Sequence, residues 1–347
     1  MEPIRCWARP TPMTTYPRDQ HGIIRRSAAL GAGISDHEIT TDLRRHRLVR
    51  VYPGAYVLAG EEFAGHEGAQ GLHRLASIAA SITEIGTGTD LPLSHASAAA
   101  LHGIPLLKPD IARVHVTTGR SAGGSIRKYR HIHAAPLDPV EVTFVDGTAV
   151  TTVERTAVDV ACCGDFAQAL TAFDHGLRAG GRADLMRDIL GNRRRRGGSV
   201  ARRALDRASP LSESVGESWS RAQMIEAGLP LPRLQHTFRC ASGNYRTDFD
   251  WQGLVIGEFD GMVKYGRHLR SGESAAESVA REKRREDDLR GTSGAMVRRW
   301  TWADLERHRL VALVTPLAGA LRTLGRLAEF TLTESGHAQP IPCAGPR

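Results

Sequence analysis

Four carboxylates within residues 246–265 have the types and spacing that could bind a divalent metal ion. Alternation along a strand places Asp248 and Asp250 on one face. It places Glu258 and Asp260 together in the same way on the next strand. Crowded carboxylates repel one another unless a cation neutralises them, and a hard ion such as Mg²⁺ prefers oxygen ligands. The pattern therefore predicts a metal site, and an exposed acidic strand face is the alternative.

A tight hairpin is predicted to position these acids. The dipeptide Gln252-Gly253 is a turn signal between the two strands. Phe249, Trp251 and Val255 make the opposite faces apolar, so the hairpin is expected to be half-buried. The flanking segments are predicted to be a helix over 210–227, strands over 234–239 and 296–300, and helices over 274–289 and 302–309. This order fits an α/β sheet flanked by helices.

Several charged residues outside the hairpin could assist chemistry on phosphates. Only four of the 46 basic residues are lysine, and Lys264 follows Asp260 by four residues. A lysine is a compact point charge where arginine is a planar fork, so Lys264 is a candidate for a specific role. Arg281 and Arg285 share a helix face and could clamp phosphates of bound DNA. The alternative is that this helix face is solvated and internally paired.

The order of elements and the acid positions resemble the PD-(D/E)XK nuclease superfamily, in particular proteins related to very-short-patch mismatch-repair endonucleases. The matching segments are Ser212-Glu213-Ser214-Val215-Gly216-Glu217, Gly228-Leu229-Pro230-Leu231-Pro232, Thr247-Asp248-Phe249, Gly257-Glu258-Phe259-Asp260-Gly261 and the charged run 282–290. The resemblance implies that Asp248 and Glu258 bind metal and that Glu217 supports a metal-bound water. Asp260 stands where the family has its lysine, and Lys264 would supply the missing charge.

The resemblance thus implies a Mg²⁺-dependent DNA endonuclease. Its catalytic residues would be Glu217, Asp248, Glu258, Asp260 and Lys264, and its metal ligands Asp248, Glu258 and Asp260. A metal ion held in this way lowers the pKa of a bound water and stabilises the transition state of phosphodiester hydrolysis.

Residues 18–60 are predicted to form a winged helix-turn-helix. A first helix is expected over 23–30. Ser35 and Glu38 form a capping box for a second helix that ends near residue 46, with Ile39 and Leu43 facing the core. A hairpin over 48–58 would be the wing. Such a helix can enter a major groove. The candidate DNA-binding residues are His37, Thr40, Thr41, Arg44, Arg45, Arg50, Arg281 and Arg285. The alternative is a small helical domain that contacts only proteins.

The same segment resembles the N-terminal domain of AbiEi-type antitoxins, which are transcriptional regulators of abortive-infection systems. The matching residues are Gly22-Ile23-Ile24-Arg25-Arg26, Gly33-Ile34-Ser35 and Leu48-Val49-Arg50-Val51-Tyr52-Pro53-Gly54-Ala55-Tyr56. Segments 94–103 and 152–159 resemble the body of these antitoxins. The resemblance implies DNA as a partner, at the protein's own promoter, and a toxin as a protein partner.

A mixed α/β region is predicted between these parts. It has helices over 65–85, 96–102 (capped by Ser94), 151–162 (capped by Thr151) and 167–178, and strands over 114–118, 126–134 and 140–144. Five histidines in this region could form a metal cluster, but their scattered spacing favours histidines satisfied in the core or at the surface: His95, His102, His115, His131 and His133. Asp159 is expected to be a structural hydrogen-bonding group.

Composition bounds the remaining possibilities. The 347 residues suffice for two or three domains, and a hydrophobic fraction of 41% suffices for real cores. There is no 18-residue apolar run and no secretory signal, and the five cysteines lack zinc-ligand spacing, so a reduced cytoplasmic location without membrane association is expected. The net charge of +8 permits nucleic-acid contact.

The predicted architecture is an α/β multidomain protein. Its segments are a disordered N-terminal extension (1–17), the winged helix-turn-helix (18–60), an AbiEi-like α/β domain (62–190), an Arg/Gly-rich linker (191–208), a PD-(D/E)XK nuclease-like domain (209–330) and a disordered tail (331–347). The linker's arginine run is either a phosphate-contacting arm or a solvated loop. Two functions follow: a DNA endonuclease, favoured by the acid set, or a non-catalytic DNA-binding regulator, favoured by Asp260 in place of lysine.

Overall fold

The structure is a computed structural model that describes residues 15–83, 91–192, 196–240, 242–261 and 274–314. The chain is a mixed α/β protein, as predicted, with several small sheets. It divides into two compact units, Met1–Trp219 and Ser220–Arg347. No helix of the described segments is long and apolar enough to cross a bilayer.

The first unit begins with two helices and a three-stranded sheet. Its elements are β1 (Ile24–Arg25), α1 (Arg26–Gly31), α2 (Asp36–Arg44), β2 (Leu48–Tyr52) and β3 (Ala55–Leu58). The strand order is β1-β3-β2, and β2 and β3 are antiparallel. The predicted second helix and hairpin are confirmed. The predicted first helix starts three residues later, at Arg26, because Ile24 and Arg25 pair with β3 instead.

Local sequence explains these elements. The Ser35 side chain accepts a hydrogen bond from the Glu38 backbone N–H (3.2 Å), and the Glu38 carboxylate accepts one from the Ser35 N–H (2.8 Å). This capping box is the predicted one. Ile39 is buried and Leu43 packs beside it. The prediction of disorder over residues 1–17 is wrong for Tyr16, which is 6% exposed in the same cluster; residues 1–14 lie outside the described segments.

The rest of the first unit alternates helices and short strands. Its elements are α3 (Gly65–Thr83), α4 (His95–His102), β4 (Val114–Gly119), β5 (Ser125–Ile126), β6 (Arg130–Pro136), β7 (Val142–Val145), β8 (Thr148–Thr151), α5 (Val153–Cys163), α6 (Phe166–Arg178), α7 (Ala183–Gly191), α8 (Gly198–Leu205) and α9 (Val215–Glu226). The last helix crosses the boundary between the units.

Several predictions in this region need correction. The single strand expected over 126–134 is two strands, because the chain reverses after Ile126 and β5 pairs antiparallel with β6. A 3₁₀ turn, Pro139–Glu141, precedes β7. The cap of α5 is Thr152, whose side chain accepts from the Arg155 N–H, and Thr151 is the end of β8. Ser94 makes no capping bond to α4, since its hydroxyl pairs with the His95 ring.

The two segments predicted as separate domains, 18–60 and 62–190, share a hydrophobic core. The buried cluster that joins them contains Ile23, Ala55, Val57, Ile78, Leu93, Val114, Val116 and Val150. The predicted linker over 191–208 is also partly folded. Within α8, Ala201, Ala204 and Leu205 are buried, so this part of the segment belongs to the first unit's core. The arginines at 193–195 lie outside the described residues.

The second unit is a four-stranded sheet with helices. Its remaining elements are β9 (Arg233–Cys240), β10 (Gly243–Trp251), β11 (Val255–Asp260), α10 (Ala275–Ser293), β12 (Met296–Thr301) and α11 (Trp302–Glu306). The strand order is β12-β11-β10-β9, with β11 and β12 parallel and the other pairs antiparallel. The predicted order of strands and helices is confirmed, although α9 starts at Val215 rather than near 210.

Two local features hold the predicted hairpin together. The Leu254 N–H donates to the Trp251 carbonyl (3.0 Å), and Gln252 and Gly253 both have positive φ (55° and 72°). Mirror-image turns of this kind match the twist of an antiparallel pair. On the buried face, a Cβ added at Gly257 would lie 2.5 Å from the Trp300 ring. Glycine is therefore required where β11 passes beneath this indole.

Candidate functional site

The exposed face of α2 carries most of the residues predicted to contact DNA. His37, Thr40, Arg44 and Arg45 are exposed and Thr41 is half-buried. Spacings of three and four residues place these side chains on one side of the helix, whereas Ile39 and Asp42 are buried on the other. The sequence folds in this way because its apolar residues fall on a single stripe.

The hairpin beside this helix adds one more cation. Arg50 is exposed on β2, and its guanidinium lies 5.8 Å from the centre of the Tyr56 ring. In the core of the same segment, the Tyr16 hydroxyl donates to the buried Asp42 carboxylate (2.9 Å). Burial and this hydrogen bond raise the pKa of Tyr16 far above its ordinary value. Arg47 also pairs with Asp42, so the buried acid is fully compensated.

Ion pairing leaves this surface positive. Asp36, at the start of α2, pairs with Arg26, and this partner lowers the pKa of the Asp36 carboxyl. By contrast, Arg44 and Arg45 form no ion pair with any residue in the part of the chain that the structure describes. These two cations are accessible to an anionic partner.

In the second unit, Asp248 lies on β10, and its side chain hydrogen-bonds to residues of both neighbouring strands, β9 and β11. One of its oxygens accepts a hydrogen bond from the Phe259 backbone N–H (2.9 Å), and the other accepts from the Gln235 side chain (3.3 Å). Asp250, on the same strand, is buried and accepts from the Gly253 N–H (2.7 Å) while it pairs with Arg233. Asp250 therefore stabilises the hairpin turn.

Glu258 is neutralised by arginine. Arg285 donates two hydrogen bonds to its carboxylate, at 2.6 and 3.2 Å, and Arg299 lies 3.5 Å away. Arg285 is thus internally paired, which is the alternative weighed for it, and Arg281 is half-buried on the same helix. Asp260 is exposed at the end of β11. Lys264, expected to assist catalysis, lies outside the described residues.

Glu217 belongs to the first unit, and its carboxylate has local partners. It accepts hydrogen bonds from the Ser214 hydroxyl (2.7 Å) and the Glu213 backbone N–H (2.9 Å) at the start of α9. The side chain is 7% exposed. These contacts are those of a carboxylate that satisfies the open N–H groups at a helix terminus.

A cluster of three histidines is the one group in the described residues whose ligand atoms lie close enough together to hold a metal ion. The ligand atoms of His115, His131 and His133 all lie within 4.8 Å of one another. The scattered spacing of these residues in the sequence favours histidines that are satisfied in the core or at the surface, and the structure instead brings three of them together. The signal that could have found them is the His-x-His spacing of 131 and 133, which places both rings on one face of a strand.

The surroundings of this cluster keep its rings neutral. Burial and neighbouring histidines lower the pKa of His133 to about 2, and burial lowers the pKa of His115 and of His131. The negative charge of Asp159 has the opposite effect and raises the pKa of His133. Its own carboxylate accepts two hydrogen bonds from the buried Arg155 guanidinium (both 2.9 Å), which confirms the structural role expected of it.

Comparisons with known proteins give relatives without an assigned role. No family model matches the chain. Two proteins described only as uncharacterized, MT2308 and Rv2248 from Mycobacterium tuberculosis strains CDC 1551 and H37Rv, are each 28% identical over 226 residues, which cover 63% of this chain and 75% of theirs. The crystal structure of the RV2827C protein from Mycobacterium tuberculosis matches with a TM-score of 0.34 and 18% identity, over 62% of this chain and 83% of that one.

Proposed function

We propose that the chain is a DNA-binding protein that contacts a duplex through α2 and the β2–β3 hairpin. One observation carries the proposal: exposed hydrogen-bonding and cationic side chains lie together on the face of α2 opposite its buried residues. A major groove about 12 Å wide admits an α-helix. Arginine can pair bidentately with guanine or with a phosphate.

The charge pattern supports the same proposal. Of the two acidic residues at the start of α2, Asp36 pairs with Arg26, and Glu38 is bonded to Ser35 in the capping box. Arg44 and Arg45 lie at the other end of the helix, and Arg50 projects from the neighbouring strand. These three exposed arginines can neutralise phosphates, and the release of counterions then favours binding.

The test is DNA binding by the full chain, measured by fluorescence anisotropy with a duplex from its own promoter and with an unrelated duplex. We expect the Arg44→Ala/Arg45→Ala variant to bind at least tenfold more weakly, which is about 1.4 kcal/mol. We also expect the slope of log K against log salt to fall by about 0.9 for each phosphate that the variant no longer neutralises. Arg187→Ala is the matched control, because Arg187 is an exposed arginine of the same unit on α7.

The outcomes are distinct. Equal affinities of the wild type and the Arg44→Ala/Arg45→Ala variant would overturn the proposal. Weaker binding to the promoter duplex alone would indicate sequence recognition. Equally weakened binding to both duplexes would indicate that the two arginines bind phosphates. A regulator of the antitoxin type, which the resemblance implies, would also bind a toxin.

Metal-dependent hydrolysis by the second unit is a second candidate function. The observation in its favour is the hairpin register, which pairs Phe249 with Gly257 and so brings Asp248 next to Glu258. These acids would hold Mg²⁺, and Asp260 would complete the set. The pairing of Glu258 with Arg285 weakens this candidate, because the guanidinium neutralises the carboxylate that a metal would need. A non-catalytic regulator is therefore the better supported proposal.

The two candidates are separated by a cleavage assay. Supercoiled and single-stranded DNA would be incubated with Mg²⁺ or Mn²⁺ and the wild type, Asp248→Ala or Glu258→Ala. Identical products from all three proteins would exclude the enzyme, whereas cleavage by the wild type but by neither variant would establish it. A matched control is Asp188→Ala, which removes an exposed carboxylate in the first unit.

A further inference from the structure

Two parallel strands of the first unit bring three histidines onto one face of a sheet. β4 and β6 pair in parallel, with His115 opposite His131 and Thr117 opposite His133. Side chains two residues apart on a strand point to the same side, so His131 and His133 share a face with His115. The ring centres of His131 and His133 are 3.8 Å apart, and that of His115 is 5.2 Å from His133. The backbone hydrogen bonds of the sheet hold the three positions.

Hydrogen bonds determine which nitrogens carry protons. The Nε2 atom of His115 lies 3.0 Å from the Asp110 carbonyl oxygen. A carbonyl can only accept, so this nitrogen donates and the His115 Nδ1 atom has a free lone pair. The Nδ1 atom lies 2.9 Å from the His133 Nε2 atom, which must donate to it. A proton therefore occupies the space between two imidazole nitrogens.

A metal ion can take the place of that proton when His133 changes tautomer. The proton then moves to the His133 Nδ1 atom, and the Nε2 lone pair becomes available to the metal. Two imidazole nitrogens bound to one tetrahedral ion, at about 2.0–2.1 Å each, are about 3.3–3.4 Å apart. The present separation of His115 Nδ1 and His133 Nε2 is 2.9 Å, so the rings need to part by about 0.4 Å. The third ring, His131, is half-exposed and can turn toward the same point.

We propose that His115, His131 and His133 form a binding site for a divalent transition-metal ion of the Zn²⁺ class, with water in the fourth position. Imidazole ligands favour zinc, cobalt, nickel or copper over the hard ion Mg²⁺. The bond from His115 Nε2 to a backbone carbonyl is the outer contact that metal-binding histidines usually have.

Neighbouring residues hold the rings and the backbone of the three histidines in place. The ring of His95 stacks on His133 with centres 3.6 Å apart, and its Nδ1 atom pairs with the Ser94 hydroxyl. The backbone N–H of His115 donates to the Ser97 hydroxyl (2.9 Å). This site is independent of the DNA-binding surface proposed for α2.

The test is the binding of Co²⁺ and Zn²⁺ to the full chain after treatment with a chelator. We expect the wild type to bind one Co²⁺ ion, to show the visible absorption bands of tetrahedral cobalt, and to lose them when Zn²⁺ but not Mg²⁺ is added. His131→Ala and His133→Ala are expected to weaken Co²⁺ binding at least tenfold. The matched control is His46→Asn, which removes an exposed histidine of the same unit, keeps a residue that tolerates its positive φ, and should bind as the wild type does.

Two further measurements do not depend on the folding of His133→Ala. Nitrogen-15 spectra of the imidazole rings should show that Zn²⁺ moves the proton of His133 from Nε2 to Nδ1. His131→Asn, at the half-exposed position, should fold and still bind Co²⁺ at least tenfold more weakly. Absence of tetrahedral bands in the wild type, or equal affinities of the wild type and His131→Asn, would overturn the site and leave a metal-free stack of histidines.

Discussion

Acidification is expected to destabilise the first unit through His73, a residue of α3 that is 4% exposed. Its Nδ1 atom lies 3.1 Å from the Ile111 carbonyl oxygen, so this nitrogen donates. Its Nε2 atom lies 3.1 Å from the Ser97 hydroxyl. That hydroxyl already accepts from the His115 N–H, so its own proton points to Nε2. The neutral ring fits both partners, and a second proton on Nε2 would face a donor.

The loss of stability on acidification can be calculated from the pKa of His73. Burial is the main cause that lowers the pKa of His73 from 6.5 to about 4. Below pH 6.5 the unfolded chain binds a proton that the folded chain does not bind until about pH 4. The loss of stability is therefore absent well above pH 6.5 and grows as the pH falls toward 4. Between pH 7.5 and pH 5.5, linkage gives a loss of about 1.3 kcal/mol from this residue.

Urea unfolding followed by circular dichroism at pH 7.5 and 5.5, with a chelator present, measures this loss. His73→Gln lowers stability at both pH values but should lose about 1.3 kcal/mol less than the wild type between them. His37→Gln, an exposed control in α2, should follow the wild type. If His73→Gln lost as much free energy on acidification as the wild type, the assignment of a buried neutral ring would be wrong.

Three further predictions concern the packing and capping of the chain, each measured by urea unfolding of the full protein. Gly257→Ala should lower the free energy of unfolding by about 1–3 kcal/mol, because the added Cβ overlaps the Trp300 indole. Gly261→Ala should lower it much less, because its Cβ would lie 3.7 Å from the nearest atom. Arg155→Ala should cost about 3–5 kcal/mol, because it removes the buried guanidinium that pairs with the Asp159 and Glu141 carboxylates; an Arg155→Ala/Asp159→Ala variant that is no more stable than Arg155→Ala would contradict that reason. Ser35→Ala should cost about 1 kcal/mol through removal of the cap on α2; an unchanged midpoint would show that the capping box contributes nothing.

Features that depend on neighbouring residues were predictable from the sequence. The Ser35 capping box, the turn at Gln252-Gly253 and the order of the elements in the second unit all follow from short-range patterns. Errors arose where a distant partner overrides a local preference. Ile24 forms a strand because β3 is beside it, and the helix α8 is buried because other helices surround it.

The candidate sites also contain features that the local sequence predicts and features that depend on residues distant in the chain. The sequence by itself determined which residues of α2 face the solvent, because helical periodicity places Ile39 on the buried side and Arg44 on the other. Only the tertiary structure joined Glu258 to Arg285, 27 residues away, and His115 to His133, 18 residues away. The register of parallel strands and the packing of a helix on a sheet are non-local, and burial sets the pKa of a side chain. For that reason Glu258, one of the acids predicted to bind metal, is paired with arginine. The histidines predicted to be satisfied in the core or at the surface lie close enough together to hold a metal ion.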